Sequence, residues 1–240
     1  MKSPVAVLLA GGRGARLRPF TMSIPKPLLP LGEVPIIEIV IRQLAAAGIE
    51  RVVVTLGHLA PLFTASIGDG SQWGVNVEYC REDEPLGTAG PLKLVENSGD
   101  SVLVMNGDIL TTLDYHAMLS AHRARKAAAT IALHRRDVFI DYGVILSDAS
   151  DDLVGFDEKP TISYDVSMGI NILSREAIEM IPAGVKYDMP DLLMALVAAG
   201  KKVSCYRTDC YWQDIGRFDD YQQASADFTE SPSRFLRPDK

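Results

Sequence analysis

Four cations and three glycines share one short, acid-free stretch of this chain. Directly after an apolar run at 5–9 the sequence reads Leu9-Ala10-Gly11-Gly12-Arg13-Gly14-Ala15-Arg16-Leu17-Arg18-Pro19, and Lys26 follows between Pro25 and Pro27. Glycines let backbone N–H groups approach phosphate oxygens with no Cβ in the way, and cations offset the charge those oxygens bring. Residues 11–26 carry +4 while the whole chain carries −7, so the remainder carries −11. A small anionic ligand near the N-terminus fits both numbers, whereas a broad grip on nucleic acid or on an anionic membrane surface does not. Two familiar phosphate loops are excluded. A dinucleotide fingerprint needs a glycine where Leu17 stands, and a Walker A loop needs Gly-Lys-Ser/Thr where Arg16-Leu17-Arg18 stands. The plainer reading, a turn with solvated arginines, is weakened by the clustering of four cations without one acid.

Carboxylates supply the complementary chemistry. Asp108 closes the apolar strand at 102–105, and Asp214 ends another strand candidate far along the chain. Two such carboxylates suit one Mg²⁺ held through oxygen ligands and substrate phosphates, although each alone reads as a turn or helix-cap residue. Lys159, in Phe156-Asp157-Glu158-Lys159-Pro160, reads by itself as one half of a solvated charge pair. His58, His116, His122 and His134 are scattered with no base–nucleophile spacing, and Cys80, Cys205 and Cys210 form neither a CxxC pair nor a zinc pattern. A reduced cytoplasm is the simplest setting.

These residues need a scaffold. With 240 residues, 47% hydrophobic and 23% charged, the chain has the balance of a folded domain and not of a collagen-like, disordered or disulfide-built one. The first apolar run ends at once in glycines, which favours a buried strand over a signal peptide, and no run reaches the roughly 18 residues that span a bilayer. Strands are predicted at 5–9, 51–56, 75–80 and 101–105, with helices at 35–47, 59–67 and 87–96 between them. This alternation argues a doubly wound, mostly parallel α/β sheet. From 114 the pattern changes: a helix to 125, a strand at 128–134, then short strands at 142–147, 153–157 and 165–173 that read as antiparallel additions forming a small lobe over the sheet edge. Helices at 174–181 and 190–199 and strands at 203–207 and 211–214 return to the core. One domain over 1–228 is expected, with a nucleotide-side half at 1–112, a second half at 113–228 and a frayed tail at 229–240.

With these stretches in view, the sequence resembles the sugar-1-phosphate nucleotidylyltransferases. The residues that carry the resemblance are Gly11 to Pro19 with Pro25-Lys26-Pro27-Leu28, then Glu84-Pro85-Leu86-Gly87-Thr88-Ala89-Gly90, Asn106-Gly107-Asp108, Glu158-Lys159-Pro160 and Trp212-Gln213-Asp214-Ile215-Gly216. Five stretches in the family's order cover essentially the whole chain. The resemblance implies a Rossmann-like sheet of the nucleotide-diphospho-sugar transferase type and transfer of a nucleoside monophosphate from an NTP to a sugar 1-phosphate, with release of pyrophosphate. Arg16, Lys26 and Asp108 would be catalytic. Leu9, Ala10, Gly11, Gly12, Arg13, Gly14, Glu82, Pro85, Gly87 and Thr88 would bind the nucleotide. Asn106, Gly143, Glu158, Lys159, Ser167 and Gly169 would bind the sugar phosphate, and Asp108 and Asp214 would hold Mg²⁺. The partners implied are small-molecule substrates, with no nucleic acid and no membrane, and a homodimer is a family expectation.

The loop at 81–90 is similar to the version in mannose- and heptose-1-phosphate guanylyltransferases, and Glu82 could accept from both N1–H and the exocyclic amine of guanine. Uridylyltransferases carry closely similar loops, and three acids in four residues also make a solvated turn, so GTP leads with UTP as its alternative. A cyclitol or choline phosphate as acceptor, or an idle nucleotide-binding regulator of the same fold, are further alternatives. Ala15, Ser167 and Arg217-Phe218 depart from the family pattern, which weakens the case for mannose in particular. Tyr187-Asp188-Met189-Pro190-Asp191 reads as a helix start, with Asp188 a second-rank site candidate because related short members carry a similar stretch near the sugar pocket. Longer members add a left-handed β-helix, and a form without it is the expectation here.

Overall fold

The computed structural model describes residues 4–12, 14–57, 59–96 and 99–236. Its strands are β1 (Val5–Leu9), β2 (Pro30–Leu31), β3 (Val34–Pro35), β4 (Arg51–Leu56), β5 (Asn76–Arg81), β6 (Ser101–Asn106), β7 (Ile109–Thr111), β8 (Ala129–Phe139), β9 (Gly143–Ser147), β10 (Leu153–Glu158), β11 (Thr161–Ser174), β12 (Val203–Arg207) and β13 (Trp212–Asp214). Its helices are α1 (Ile36–Ala46), α2 (Ala60–Ile67), α3 (Tyr115–Arg125), α4 (Arg175–Glu179), α5 (Met189–Ala198), α6 (Phe218–Glu230) and α7 (Pro232–Phe235). Seven strands form the central sheet in the order β12-β8-β11-β6-β1-β4-β5. All run parallel except β11, which is antiparallel to both β6 and β8.

Helices cover both faces, as a parallel sheet of unbroken apolar strands requires. Ala6 and Leu8 of β1 meet the side of α1, α2 and α3, packing with Ile37, Val40, Leu44, Phe63 and Met118. Val5 and Val7 face the other layer, with Leu92, Ile178, Leu192 and Leu196. Helix α1 starts directly after Pro35 and stops at a glycine: Gly48 takes φ +82, its N–H donates to Ala45 O at 2.9 Å, and the Ile49 N–H donates to Leu44 O at 3.1 Å. These bonds satisfy carbonyls that the end of the helix would otherwise leave open.

Three expectations need correction. The helix predicted at 87–96 is a single 3-10 turn, Gly90–Leu94, because Pro91 and two nearby glycines oppose a longer helix. The strand predicted at 165–173 is the 14-residue β11, and it sits inside the sheet, not over its edge. Its C-terminal half pairs with β6, and its N-terminal half pairs with an extension of β8 to Phe139, five residues past the predicted end. Of the short strands predicted to form the small lobe, β9 and β10 make a separate antiparallel ribbon, while β7 with β13 and β2 with β3 form two further small antiparallel pairs. The tail predicted to fray from 229 instead completes α6 and forms α7 as far as the structure describes it, and Phe235 is buried beside Phe228, Leu31 and Ile39. Covering one Phe contributes about 1.5–3 kcal/mol, enough to hold a short terminal helix in place.

Candidate active site

The loops after β1, β4, β5 and β6 all leave the same edge of the sheet, the C-terminal edge where open α/β sheets hold ligands. They frame a cleft of about 700 Å³. Leu9, Ala10, Gly11, Gly12, Gly14, Arg16, Lys26, Glu82, Pro85, Gly87, Thr88, Asn106 and Asp108 line it, all of them predicted from the sequence. Arg13, also predicted, lies outside the described residues.

The glycine turn is tied down at both ends. The Ala10 N–H donates to Thr55 O at 3.0 Å, and the Gly107 N–H donates to Leu9 O at 3.0 Å. Gly14 takes φ +58 and is packed so closely that a Cβ would come within 2.9 Å of Thr21 Cγ2. Thr21 donates its hydroxyl to Gly14 O at 2.7 Å, and buried Leu17 anchors the far side of the turn in the cluster beneath α6. Nothing lies within 4 Å of a Cβ built on Gly12, so that residue leaves open space.

Lys26 opens a 3-10 turn between two prolines and is almost fully buried. Its Nζ lies 2.5 Å from Asp108 Oδ2, while Asp108 Oδ1 is buried without a hydrogen-bond partner among the described residues. Strand pairing brings Asp214 to the same place: β13 pairs antiparallel with β7, setting Asp214 opposite Ile109, and the Ile215 N–H donates to Asp108 O at 3.2 Å. Burial pushes the Asp214 carboxyl above its ordinary value and the Asp108 charge adds to this, with Lys26 and Arg16 opposing. An atom placed at the Cβ position of Gly216 would lie 3.5 Å from Arg16 Nη1, 3.6 Å from Asp214 Oδ2 and 3.5 Å from Asp220 Oδ2. Two converging carboxylates, one with an orphaned buried oxygen and one raised by burial and then by the other's charge, are a donor set that added positive charge would stabilise. A divalent cation with oxygen ligands would supply it. No group of three or more His, Cys, Asp or Glu placed to hold a metal ion by itself occurs among the described residues.

On the other wall, Glu82 accepts from the Leu86 N–H at 2.9 Å through Oε2, and its Oε1 lies 2.9 Å from a Cβ built on Gly11. Burial raises its carboxyl above the ordinary value, offset in part by the Leu86 N–H. The glutamate predicted to read a base therefore packs against the glycine turn predicted to hold phosphates.

The remaining predicted residues are dispersed. Gly169 takes φ +71 at the irregularity in β11, and a Cβ there would meet Asn106 Nδ2 at 2.8 Å, which ties it to the cleft wall. Gly143 and Glu158 face each other across the β9–β10 ribbon, and Lys159 bridges to Asp141 at 2.7 Å. Neither these three nor Ser167 line the cleft. The ribbon pairs only with itself, so no sheet register pins it over the sheet edge.

Several lining residues were not predicted: Ala15, Pro27, Thr55, Gly57, Asp83 and Gly216. Thr55 was the most accessible to reasoning, as the one hydroxyl in the apolar strand β4 and at the C-terminal end of that strand. Gly57 is explained by contact, since a Cβ there would stand 3.1 Å from Gly11 O.

Residues 5–231 match the nucleotidyl transferase family. A mannose-1-phosphate guanylyltransferase of Mycobacterium tuberculosis is 36% identical over 97% of this chain and 67% of its own length. A UTP–glucose-1-phosphate uridylyltransferase of Synechocystis is 34% identical over 91% of this chain and 62% of its own. The chain thus spans about two thirds of these relatives. Among solved structures, HddC from Yersinia pseudotuberculosis complexed with GMP-PN aligns with a TM-score of 0.73 at 26% identity, covering 94% of this chain and 99% of that one.

Proposed function

This chain belongs to the nucleotidyl transferase family, and on that premise we propose that it transfers a nucleoside monophosphate from GTP to a mannose- or heptose-like sugar 1-phosphate and releases pyrophosphate. The observation that carries the reading is the convergence of the glycine turn, Arg16, the Lys26–Asp108 pair and Asp214 at one sheet edge. In such a transfer a phosphate oxygen of the sugar 1-phosphate forms a bond to the α-phosphorus as the bond to the pyrophosphate oxygen breaks. The attacking group is already an anion, so no general base is required. The demands are neutralisation and alignment.

The Gly11 to Gly14 backbone and Arg16 would hold the departing phosphates, and Lys26 would meet the charge that grows on the α-phosphoryl oxygens. Asp108 and Asp214 would hold Mg²⁺, which would supply further neutralisation of the triphosphate. Asn106 and Gly169 would floor the sugar side, with Gly143, Glu158, Lys159 and Ser167 of the ribbon and β11 completing it. Glu82 would accept from the guanine edge, in keeping with the guanylyltransferase from M. tuberculosis and the GMP-PN complex of HddC. The Synechocystis uridylyltransferase, at nearly equal identity, favours a second reading with UTP and a glucose-like acceptor.

Pyrophosphate release, assayed with four NTPs against a panel of sugar 1-phosphates and Mg²⁺, tests both. Highest kcat/KM with GTP and a mannose- or heptose-type acceptor is the expected result. Preference for UTP moves the assignment to the second reading, and NTP binding without turnover on any acceptor would refute the transferase reading.

A further inference from the structure

The cleft wall formed by residues 82–90 is held by two anchors. The first is local, the Leu86 N–H to Glu82 bond. The second comes from about 100 residues away. Leu86 O accepts from the Tyr187 N–H at 2.9 Å, and Tyr187 O accepts from the N–H groups of Ala89 and Gly90 at 2.9 and 3.0 Å. Asp188 Oδ1 accepts from the Thr88 N–H at 3.0 Å and from the Thr88 hydroxyl at 3.3 Å, while the Met189 N–H donates to Thr88 Oγ1 at 2.7 Å. The fit is close: a Cβ on Gly87, which takes φ +82, would stand 2.6 Å from Asp188 Oδ1 and 2.7 Å from Tyr187 O.

Asp188 occupies the N-cap position of α5 with φ −99 and ψ 155, the extended backbone from which an Asp ordinarily accepts an N–H of its own helix. It makes no such bond. Its carboxylate serves Thr88 instead, and the Thr88 hydroxyl takes the first amide of α5 in return. A helix-start motif has exchanged caps with a cleft loop, at the cost of its own local cap.

We propose that Asp188 is a positioning residue which, acting through Thr88, sets the nucleotide-side wall of the cleft from the other half of the chain and so controls NTP affinity and base discrimination without touching either substrate. The proposal rests on the nucleotidyl-transfer reading for its kinetic readout. Removing the carboxylate releases the Thr88 N–H and its hydroxyl together and opens space beside Gly87. An Asn retains an acceptor oxygen at the same reach.

The test compares Asp188→Ala, Asp188→Asn and Thr88→Val with the wild-type protein, using whichever NTP and sugar 1-phosphate the wild type turns over best. Asp188→Ala is expected to raise KM for the NTP about tenfold, the scale of a lost hydrogen bond to a charged group. Under saturation kcat should stay within about threefold and KM for the sugar phosphate should not move. The kcat/KM ratio between the best and second-best NTP should narrow. Asp188→Asn should recover most of the NTP affinity, and Thr88→Val should weaken it as the Ala variant does. A rise in KM for the sugar phosphate instead would make Asp188 a sugar contact and overturn the proposal, as would unchanged NTP affinity in a folded Asp188→Ala protein. Calorimetric titration with each NTP reads the same clamp without turnover. Absence of pyrophosphate release would therefore count against the transferase reading alone, while unweakened NTP binding by Asp188→Ala would count against the clamp.

Discussion

Replacing Lys26 by Met keeps the length of the side chain and removes its charge, with two separable effects. In the folded protein the Lys26 ammonium sits 2.5 Å from Asp108 Oδ2, with side-chain exposures of 9% and 22%. Stripping one partner from a buried pair costs about 3–5 kcal/mol, most of it from the charge left behind. Here the charge left behind is Asp108, whose Oδ1 already has no partner among the described residues. Its remaining contact with water favours the low end, about 3 kcal/mol, or a fall in Tm of roughly 6–12 °C for a chain of this size. The catalytic effect has a different origin. A donor aimed at charge that develops in the transition state is worth about 10²–10³ in kcat, roughly 2.7–4 kcal/mol. Adding Asp108→Asn to Lys26→Met isolates the stability effect, because a neutral amide removes the stranded charge. Thermal unfolding should show stability largely restored in the double variant, while the catalytic effect is read from pyrophosphate release by Lys26→Met alone with both substrates saturating, since Asp108 is itself placed at the reaction. Turnover of folded Lys26→Met within about threefold of wild type would remove Lys26 from the reaction.

Other outcomes follow from the same geometry. Glu82 holds its proton to higher pH in the folded protein than in the unfolded chain, so as pH rises from about its ordinary value of 4.5 through the folded value the wild type loses stability. Glu82→Gln should lack that slope, and denaturant titrations at pH 4 and pH 7 should show the variant gaining on the wild type at the higher pH. Gly169→Ala places a Cβ at φ +71 and 2.8 Å from Asn106 Nδ2. It should cost about 1–3 kcal/mol in unfolding free energy and raise KM for the sugar phosphate more than KM for the NTP. Phe235→Ala should cost about 3–5 kcal/mol by denaturant unfolding, because its ring is enclosed by the α6 cluster; a loss below 0.5 kcal/mol would show the end of the chain to be undocked.

The residues proposed to carry the chemistry stood out because their motifs are local, and it was the family resemblance that joined those motifs into one site. A glycine turn at the end of an apolar strand, a lysine fixed between prolines and an aspartate closing a strand each show in a few adjacent residues. Local patterns also predicted alternating strands and helices well enough to make the sheet doubly wound and its C-terminal edge the site. What sequence patterning misses is which elements become neighbours. Hydrophobic period marks the face of β11 but not its place between β6 and β8, since that depends on hydrogen-bond partners distant along the chain. Asp108 and Asp214 meet only because β13 pairs with β7 in one register. The cap exchange between Thr88 and Asp188 is a choice between two acceptable acceptors, and Asp188 read alone is a sound helix cap. Residues 229–236 likewise have too little apolar character of their own to predict order, and it is the pocket formed by α1, β2 and α6 that makes burying Phe235 favourable. By itself, then, the amino-acid sequence determined the chemical groups and the sheet edge that carries them. Their convergence and the clamp behind them were decided by long-range pairing, whose energy belongs to two distant segments at once and leaves no trace in either.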